Sequence, residues 1–220
     1  MNSSLLKVGS VRLDPWLMAT ASLFLLIGLL MVTTASGYIA EYYGLSPFHY
    51  GMRQLLYVGF GSMLAVAAYK INLRRWYHLT PWIMMASITS LILVLIPGIG
   101  REVNGALRWI PIAFFNFQPA ELAKFAALIY VASYLHRRKE FIASRITALF
   151  VPLFVMGVLG VLLLLEPDFG STAIIFVVGL GLLFIAGVCL WRFAIVLVPT
   201  LLLMVLVLYT SPYRRAPLSG

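Results

Sequence analysis

Charged side chains are scarce in this sequence, and their scarcity excludes most soluble folds. Only 10% of the 220 residues are charged, whereas 62% are hydrophobic and the mean hydropathy is +1.00. Soluble domains typically carry about 25% charged residues. A compact soluble fold could not bury this much apolar surface, so we expect lipid to solvate much of it.

Cysteine and acidic residues are also few. The single cysteine, Cys189, excludes an intrachain disulfide and a thiol-rich metal site, and we interpret it as a small buried residue. Seven acids against sixteen Lys and Arg give a net charge of +9, which in a soluble protein would suggest a nucleic-acid partner. Here the basic residues lie in short segments between apolar runs, so membrane topology explains them better and we expect no nucleic acid.

Apolar runs fill most of the chain, and each approaches the length that crosses a bilayer as a helix. We predict an all-α fold, a polytopic membrane helix bundle with about seven transmembrane helices. The predicted spans are 16–36, 51–69, 81–97, 119–135, 148–165, 171–188 and 193–210.

Residues 1–15 are then a cytoplasmic N-terminus, 16–210 the bundle and 211–220 the start of an outside loop. With the N-terminus inside, the cytoplasmic segments hold about twice as many Lys and Arg as the outside ones, which is the expected bias.

Two charged residues interrupt the fourth apolar run. Glu121 and Lys124 are three residues apart, so on a helix they share one face at about 5–6 Å. A charge at mid-bilayer costs about 2.5–3.5 kcal/mol on insertion scales, and intramembrane ionisable residues are functional by default. We therefore favour a polar site that opens outward. The alternative is a structural ion pair close to the membrane interface.

Further charges lie in the segments that flank this run. Arg101, Glu102 and Arg108 precede it, and two guanidinium groups near a helix N-terminus suit a phosphate or pyrophosphate. The alternative is ordinary loop charge or contact with lipid headgroups.

Glu166 and Asp168 lie in a tight turn between two later spans, where Pro167 fixes φ and Gly170 is able to take a positive φ. This carboxylate pair suits a divalent cation or a general base. Equally, Asp168 would cap the next helix and Glu166 would pair with an arginine. Beyond this divalent cation, the sequence does not specify a cofactor.

Three stretches resemble signatures of the SEDS family of bacterial membrane proteins. They are residues 100–110 (GREVNGALRWI), 116–124 (NFQPAELAK) and 166–172 (EPDFGST). Their order and intervals fit the family, and the resemblance covers essentially residues 10–215. The amino-acid sequences of the first two stretches are more similar to the cell-division members of the family than to its elongation members.

The resemblance implies a ten-helix glycosyltransferase of the bacterial inner membrane that polymerises lipid II, the lipid-linked peptidoglycan precursor. Its expected partners are a class B penicillin-binding protein and other divisome proteins. A lipid II flippase or a divisome scaffold is the alternative. By the same resemblance, Arg108, Glu121 and Lys124 line an outward-facing polar cavity.

The catalytic aspartate of the family lies in a long outside loop after the seventh helix. Residues 212–215 resemble the start of that loop. We therefore expect this sequence to be an N-terminal fragment that lacks the catalytic residue and does not polymerise alone.

Overall fold

The structure is a computed structural model that describes residues 14–103, 106–112, 115–138, 141–142, 146–188, 191, 194–195, 197–200 and 202. It is predominantly helical, as predicted. The chain divides into two compact units, Met1–Asn72 and Leu73–Gly220. The helices that we number are α1 Pro15–Tyr42, α2 His49–Lys70, α3 Leu73–Val94, α4 Pro119–Arg137, α5 Phe150–Leu165 and α6 Phe169–Ile185, and a 3₁₀ helix spans Ile146–Leu149.

Several of these helices are suited to a bilayer. Three stretches are long and apolar enough to cross one, namely Pro15–Tyr42, Leu73–Val94 and Ile146–Leu165. Helix α6 is apolar and slightly shorter, and α2 and α4 occupy two further predicted spans with similar bounds. The protein is therefore a multi-pass membrane protein.

The boundary of the third predicted span is wrong. We predicted 81–97, but α3 covers Leu73–Val94 and contains Pro81 in its interior. Its first turn carries Arg74 and Arg75, so the helix begins among charged residues and extends beyond its apolar part. Most of the seventh predicted span, 193–210, lies outside the described residues, as do 1–13, Cys189 and 203–220.

The first unit consists of α1 packed against α2. Asp14 caps α1, because its Oδ1 accepts a hydrogen bond from the Trp16 amide at 2.9 Å, and Pro15 occupies the first helical position. A Cβ atom at Gly51 would lie 2.5 Å from Thr33 Oγ1. Glycine at this position therefore lets the two helices approach closely.

Helix α4 is the centre of the second unit, where it packs against α3, α5 and α6. Its buried face is built mainly from small residues, which are Ala120, Ala123, Ala126 and Ala127. Small side chains let helix backbones approach within a membrane. Larger apolar side chains of the neighbouring helices complete the core, including Leu91, Met156 and Leu163.

The segment between α3 and α4 forms a small antiparallel sheet that the sequence analysis did not predict. Its strands β1 (Arg101–Val103), β2 (Ala106–Ile112) and β3 (Phe115–Phe117) follow each other as a meander. Strand β2 contacts both α3 and α4. The sheet therefore holds Arg108, in the middle of β2, against the end of the helix bundle.

Candidate functional site

The ion pair predicted from the sequence is formed in the first two turns of α4. Lys124 Nζ donates to Glu121 Oε1 at 2.7 Å, and the side chains of Lys124 and Glu121 are 22% and 62% exposed. Helix α4 begins at Pro119, so Glu121 lies where the helix dipole favours a negative charge. The pair therefore lies at the surface of the bundle, outside its apolar core.

Both members of this pair line a groove between α4 and α6. The groove has a volume of about 290 Å³. Its other lining residues are apolar, namely Phe125, Ala127, Leu128, Ile174, Ile175, Val178 and Gly179. One charged pair in an otherwise apolar groove suits an amphiphile, which would place its polar group at the pair and its apolar part along α6.

Arg108 contacts the turn between α5 and α6 instead of the ion pair. Its Nη2 donates to the carbonyl oxygen of Pro167, and its Nε donates to the carbonyl oxygen of Glu166 at 3.4 Å. Within the described residues, no hydrogen bond or ion pair joins Arg108 to Glu121 or Lys124. The side chain thus fastens the sheet to the α5–α6 turn.

The carboxyl group of Glu166 is buried in that turn without a partner. The residue is fully buried, and neither carboxyl oxygen has a hydrogen-bond partner. The pKa of this carboxyl is raised to about 8, mainly by burial and also by the negative charge of Asp168, while the Arg108 guanidinium acts in the opposite direction. Glu166 is therefore mainly protonated at neutral pH, which makes it a poor general base there. The alternative in which Glu166 pairs with an arginine holds through its backbone, because Arg108 donates to the Glu166 carbonyl oxygen and not to the carboxyl group.

Asp168 caps α6, which confirms one of the two alternatives for this residue. Its Oδ1 accepts from the Ser171 amide at 3.1 Å, and its Oδ2 accepts from Ser171 Oγ at 2.7 Å. Gly170 lies in the first turn of α6 and does not use the positive φ that is open to glycine.

Arg101 and Glu102 lie apart from these contacts. Both are exposed in β1, and Arg101 is opposite Trp109 in the sheet. In the described part of the chain neither residue forms an ion pair. Likewise, no group of three or more His, Cys, Asp or Glu side chains in that part is placed to hold a metal ion.

The sequence analysis missed the contribution of α6 to the groove. Ile174, Val178 and Gly179 line it opposite the ion pair. Residues 174 and 178 are four apart and so share one helix face. In a membrane helix, however, an apolar face that lines a groove has the same composition as one that faces lipid, so the sequence alone does not reveal the groove. Ser171 was also missed, although a serine three residues after an aspartate cap is a recognisable signal.

Comparison with known proteins identifies relatives over most of the chain. The FtsW/RodA/SpoVE family, described as cell cycle proteins, matches residues 15–219. A probable peptidoglycan glycosyltransferase FtsW from Thioalkalivibrio sp. is 44% identical over 178 residues, which are 81% of this chain and 44% of that protein. The protein with the same description from Coxiella burnetii is 38% identical over 207 residues, which are 94% of this chain and 56% of that protein.

Solved structures of similar fold belong to related proteins. The crystal structure of the rod shape determining protein RodA from Thermus thermophilus matches with a TM-score of 0.60 and 27% identity, over 81% of this chain and 58% of that one. A structure described as "Structural coordination of polymerization and crosslinking by a peptidoglycan synthase complex" matches with a TM-score of 0.60 and 30% identity, over 86% of this chain and 56% of that one. The chain spans about half the length of the curated relatives it matches.

Proposed function

Because the chain belongs to the FtsW/RodA/SpoVE (SEDS) family of cell cycle proteins, we propose that it is part of a peptidoglycan glycosyltransferase that polymerises lipid II during bacterial cell division. The observation that carries the structural side of this proposal is the Glu121–Lys124 pair in the apolar groove between α4 and α6. Relatives described as FtsW support the choice of reaction and of the division pathway.

The groove suits the chemistry of a lipid-linked sugar. Such a substrate joins a long apolar chain to a negatively charged pyrophosphate. The Lys124 ammonium offers a positive charge close to the first turn of α4, where the helix dipole also favours an anion. Phe125, Ile174 and Val178 offer apolar contact to the chain. In this arrangement Glu121 positions Lys124 through its hydrogen bond, and neither residue is assigned the bond-making step.

Arg108 has an indirect role in this proposal. Its hydrogen bonds to the Glu166 and Pro167 carbonyls fix the turn from which α6 begins. Because α6 forms one wall of the groove, Arg108 is a positioning residue for that wall. For Arg101, which is exposed in β1, we propose a contact with the sugar or with lipid headgroups.

We further propose that the protein lies in the bacterial inner membrane with its N-terminus in the cytoplasm. A class B penicillin-binding protein is the proposed partner. The similarity to a chain from a peptidoglycan synthase complex that couples polymerization to crosslinking supports such an assembly. The excess of Lys and Arg in the predicted cytoplasmic segments supports the orientation.

Polymerisation of purified lipid II by the complete protein with its partner tests the site. We expect Lys124→Ala to lower the rate of glycan-strand formation by about tenfold or more, because the cation at the groove is lost. Lys70→Ala, at the last residue of α2, is the matched control and should leave the rate unchanged.

A charge swap separates the binding role from a structural one. Glu121→Lys combined with Lys124→Glu keeps an ion pair but moves the cation by almost one helical turn. Normal folding with lost polymerisation supports the proposal, whereas full activity of the swap or of Lys124→Ala contradicts the site. Lipid II that appears on the far leaflet of vesicles without strand synthesis would favour the flippase alternative.

A further inference from the structure

A second charged surface lies at the opposite end of α3 and α4 from the sheet. It consists of Arg75 and His78 in the first turns of α3, and Arg137 and Arg138 at the end of α4, and we call it the basic end. All four side chains are exposed. Neither the ion pair of α4 nor the α5–α6 turn is part of it.

Side-chain contacts bring the two helix ends together. The Arg137 guanidinium lies 5.2 Å from the centre of the Tyr77 ring, and the His78 ring meets the same tyrosine edge-on at 5.6 Å. One helical turn further into the bundle, Thr80 Oγ1 donates to Ser133 Oγ at 3.4 Å. Tyr77 therefore joins the charged end of α4 to the first turns of α3.

The described carboxylates of the second unit all lie at the other end. Glu121 is in the first turn of α4, Glu102 is in the sheet, and the turn of Glu166 and Asp168 is bonded to that sheet through Arg108. A helix of the length of α4 separates its ends by about 28 Å, which exceeds the Debye length of roughly 8 Å at physiological salt. In the described part of the chain, no ion pair neutralises Arg75, Arg137 or Arg138.

An apolar groove opens at the same end of the bundle as these charges. It has a volume of about 250 Å³ and is lined by Ile146, Leu149, Phe150, Leu153, Ile195 and Pro199. The 3₁₀ helix that carries the first two of these residues is bonded to the last turns of α4, because the Tyr134 hydroxyl donates to the Ala148 carbonyl at 2.8 Å. Exposed cations that form no ion pair with any described residue, and an apolar groove, are thus found at one end of this bundle.

We propose that the basic end is a binding site for an anionic phospholipid, with the headgroup phosphate at Arg137 and with Arg75 adding positive charge at the same end of the bundle. The ends of spanning helices lie at the depth of the headgroups, and basic pockets between such helices bind anionic lipid. Guanidinium groups bind phosphate through two parallel hydrogen bonds. The contact with Tyr77 holds the Arg137 side chain in place, and the apolar groove receives an acyl chain. This site does not depend on the proposed glycosyltransferase activity.

Titration of the detergent-solubilised protein with short-chain lipids tests this site. The probes are dioctanoyl phosphatidylglycerol and dioctanoyl phosphatidylcholine, and the readout is the change in intrinsic fluorescence or in thermophoretic mobility. We expect the anionic lipid to bind about tenfold more tightly than the zwitterionic one, and Arg75→Gln with Arg137→Gln to remove that preference.

Arg53 provides a matched control. Its guanidinium also lies over a tyrosine ring, that of Tyr57 at 5.9 Å, but it belongs to α2 in the first unit. Arg53→Gln should keep the preference for the anionic lipid. Arg75→Lys with Arg137→Lys retains both charges and should keep most of it, which guards against a variant that merely misfolds.

Three results would overturn the proposal. The first is equal affinity of the unaltered protein for the two lipids. The second is an equal loss of the preference for anionic lipid in Arg53→Gln and in the double glutamine variant, which would show that the preference depends only on the net charge of the protein. The third is competition by millimolar inorganic phosphate at the strength of the lipid, which would show a simple anion site.

Discussion

Two glutamates of the second unit are stabilised in opposite ways. Glu121, in the first turn of α4, is 62% exposed and accepts a hydrogen bond from Lys124. Glu166, in the turn between α5 and α6, is fully buried, has no partner for its carboxyl group and has its pKa raised to about 8. The first therefore pairs with a neighbour on its own helix, whereas the second is kept as a neutral acid by burial.

This difference separates a residue that can meet a ligand from one that shapes the protein. The Glu121–Lys124 pair is accessible from the groove and contributes little to folding, since exposed pairs are weak. Glu166 cannot reach a ligand without opening its turn, but its protonation state is coupled to stability. The following four variants, ordered by expected effect, test that contrast.

The largest expected effect is a fall in stability as Glu166 ionises. Its folded pKa of about 8 lies above the usual value of 4.5, so its contribution is fully present below pH 4.5 and is lost as the pH rises towards 8. We expect the free energy of unfolding to fall by about 4 kcal/mol between pH 5 and 8. Glu166→Gln should remove most of this dependence when unfolding is followed by circular dichroism in detergent. A wild-type protein with no such decline would contradict the assignment.

Arg108→Ala should be the next most disruptive. It removes two hydrogen bonds from a charged donor to the α5–α6 turn, which we expect to cost about 2 kcal/mol in unfolding free energy. It also removes the positive charge that lowers the pKa of Glu166, so the pH-dependent loss of stability should begin at the same pH but extend to higher pH. Arg101→Ala, on an exposed strand of the same sheet, should change neither the unfolding free energy nor its pH dependence. Equal effects of the two variants would show that the Arg108 hydrogen bonds do not stabilise the turn.

Gly179→Ala tests the wall that α6 contributes to the groove of Glu121. The new Cβ would lie 2.5 Å from the sulfur and terminal carbon of Met156. Because methionine is flexible, we expect a destabilisation of only about 1–2 kcal/mol. Gly181→Ala on the same helix meets no atom within 4 Å and should be neutral or stabilising. Identical thermal midpoints for the two variants would contradict this packing.

Lys124→Ala should have the smallest effect on stability. Exposed ion pairs at this spacing contribute a few tenths of a kcal/mol, about 0.2–0.5. The unfolding midpoint in detergent should therefore hardly move, while polymerisation by the complete protein falls as described above. A destabilisation as large as that of Arg108→Ala would make the pair structural and would abolish the contrast with Glu166.

Local interactions account for what the sequence predicted of this site. The Glu121–Lys124 pair and the Asp168 cap each depend on atoms within one helical turn, so residue type and spacing predicted the pair and gave the cap as one of two alternatives. The burial of Glu166 was not predictable in this way, because Arg108, the residue that fastens its turn, is 58 positions away in the chain. The small sheet was missed because its strands are short, and the start of α3 was missed because its first turn is charged.

The alanine face of α4 also determines which substitutions the helix tolerates. Any larger side chain at positions 120, 123, 126 or 127 would push α3, α5 or α6 away from α4, since these residues are almost completely buried. Phe125 and Leu128 are about two-fifths exposed and should accept other apolar residues. In a library of random variants, the surviving sequences of α4 would therefore show a repeat of about 3.6 residues in side-chain size, while hydrophobicity stays nearly constant.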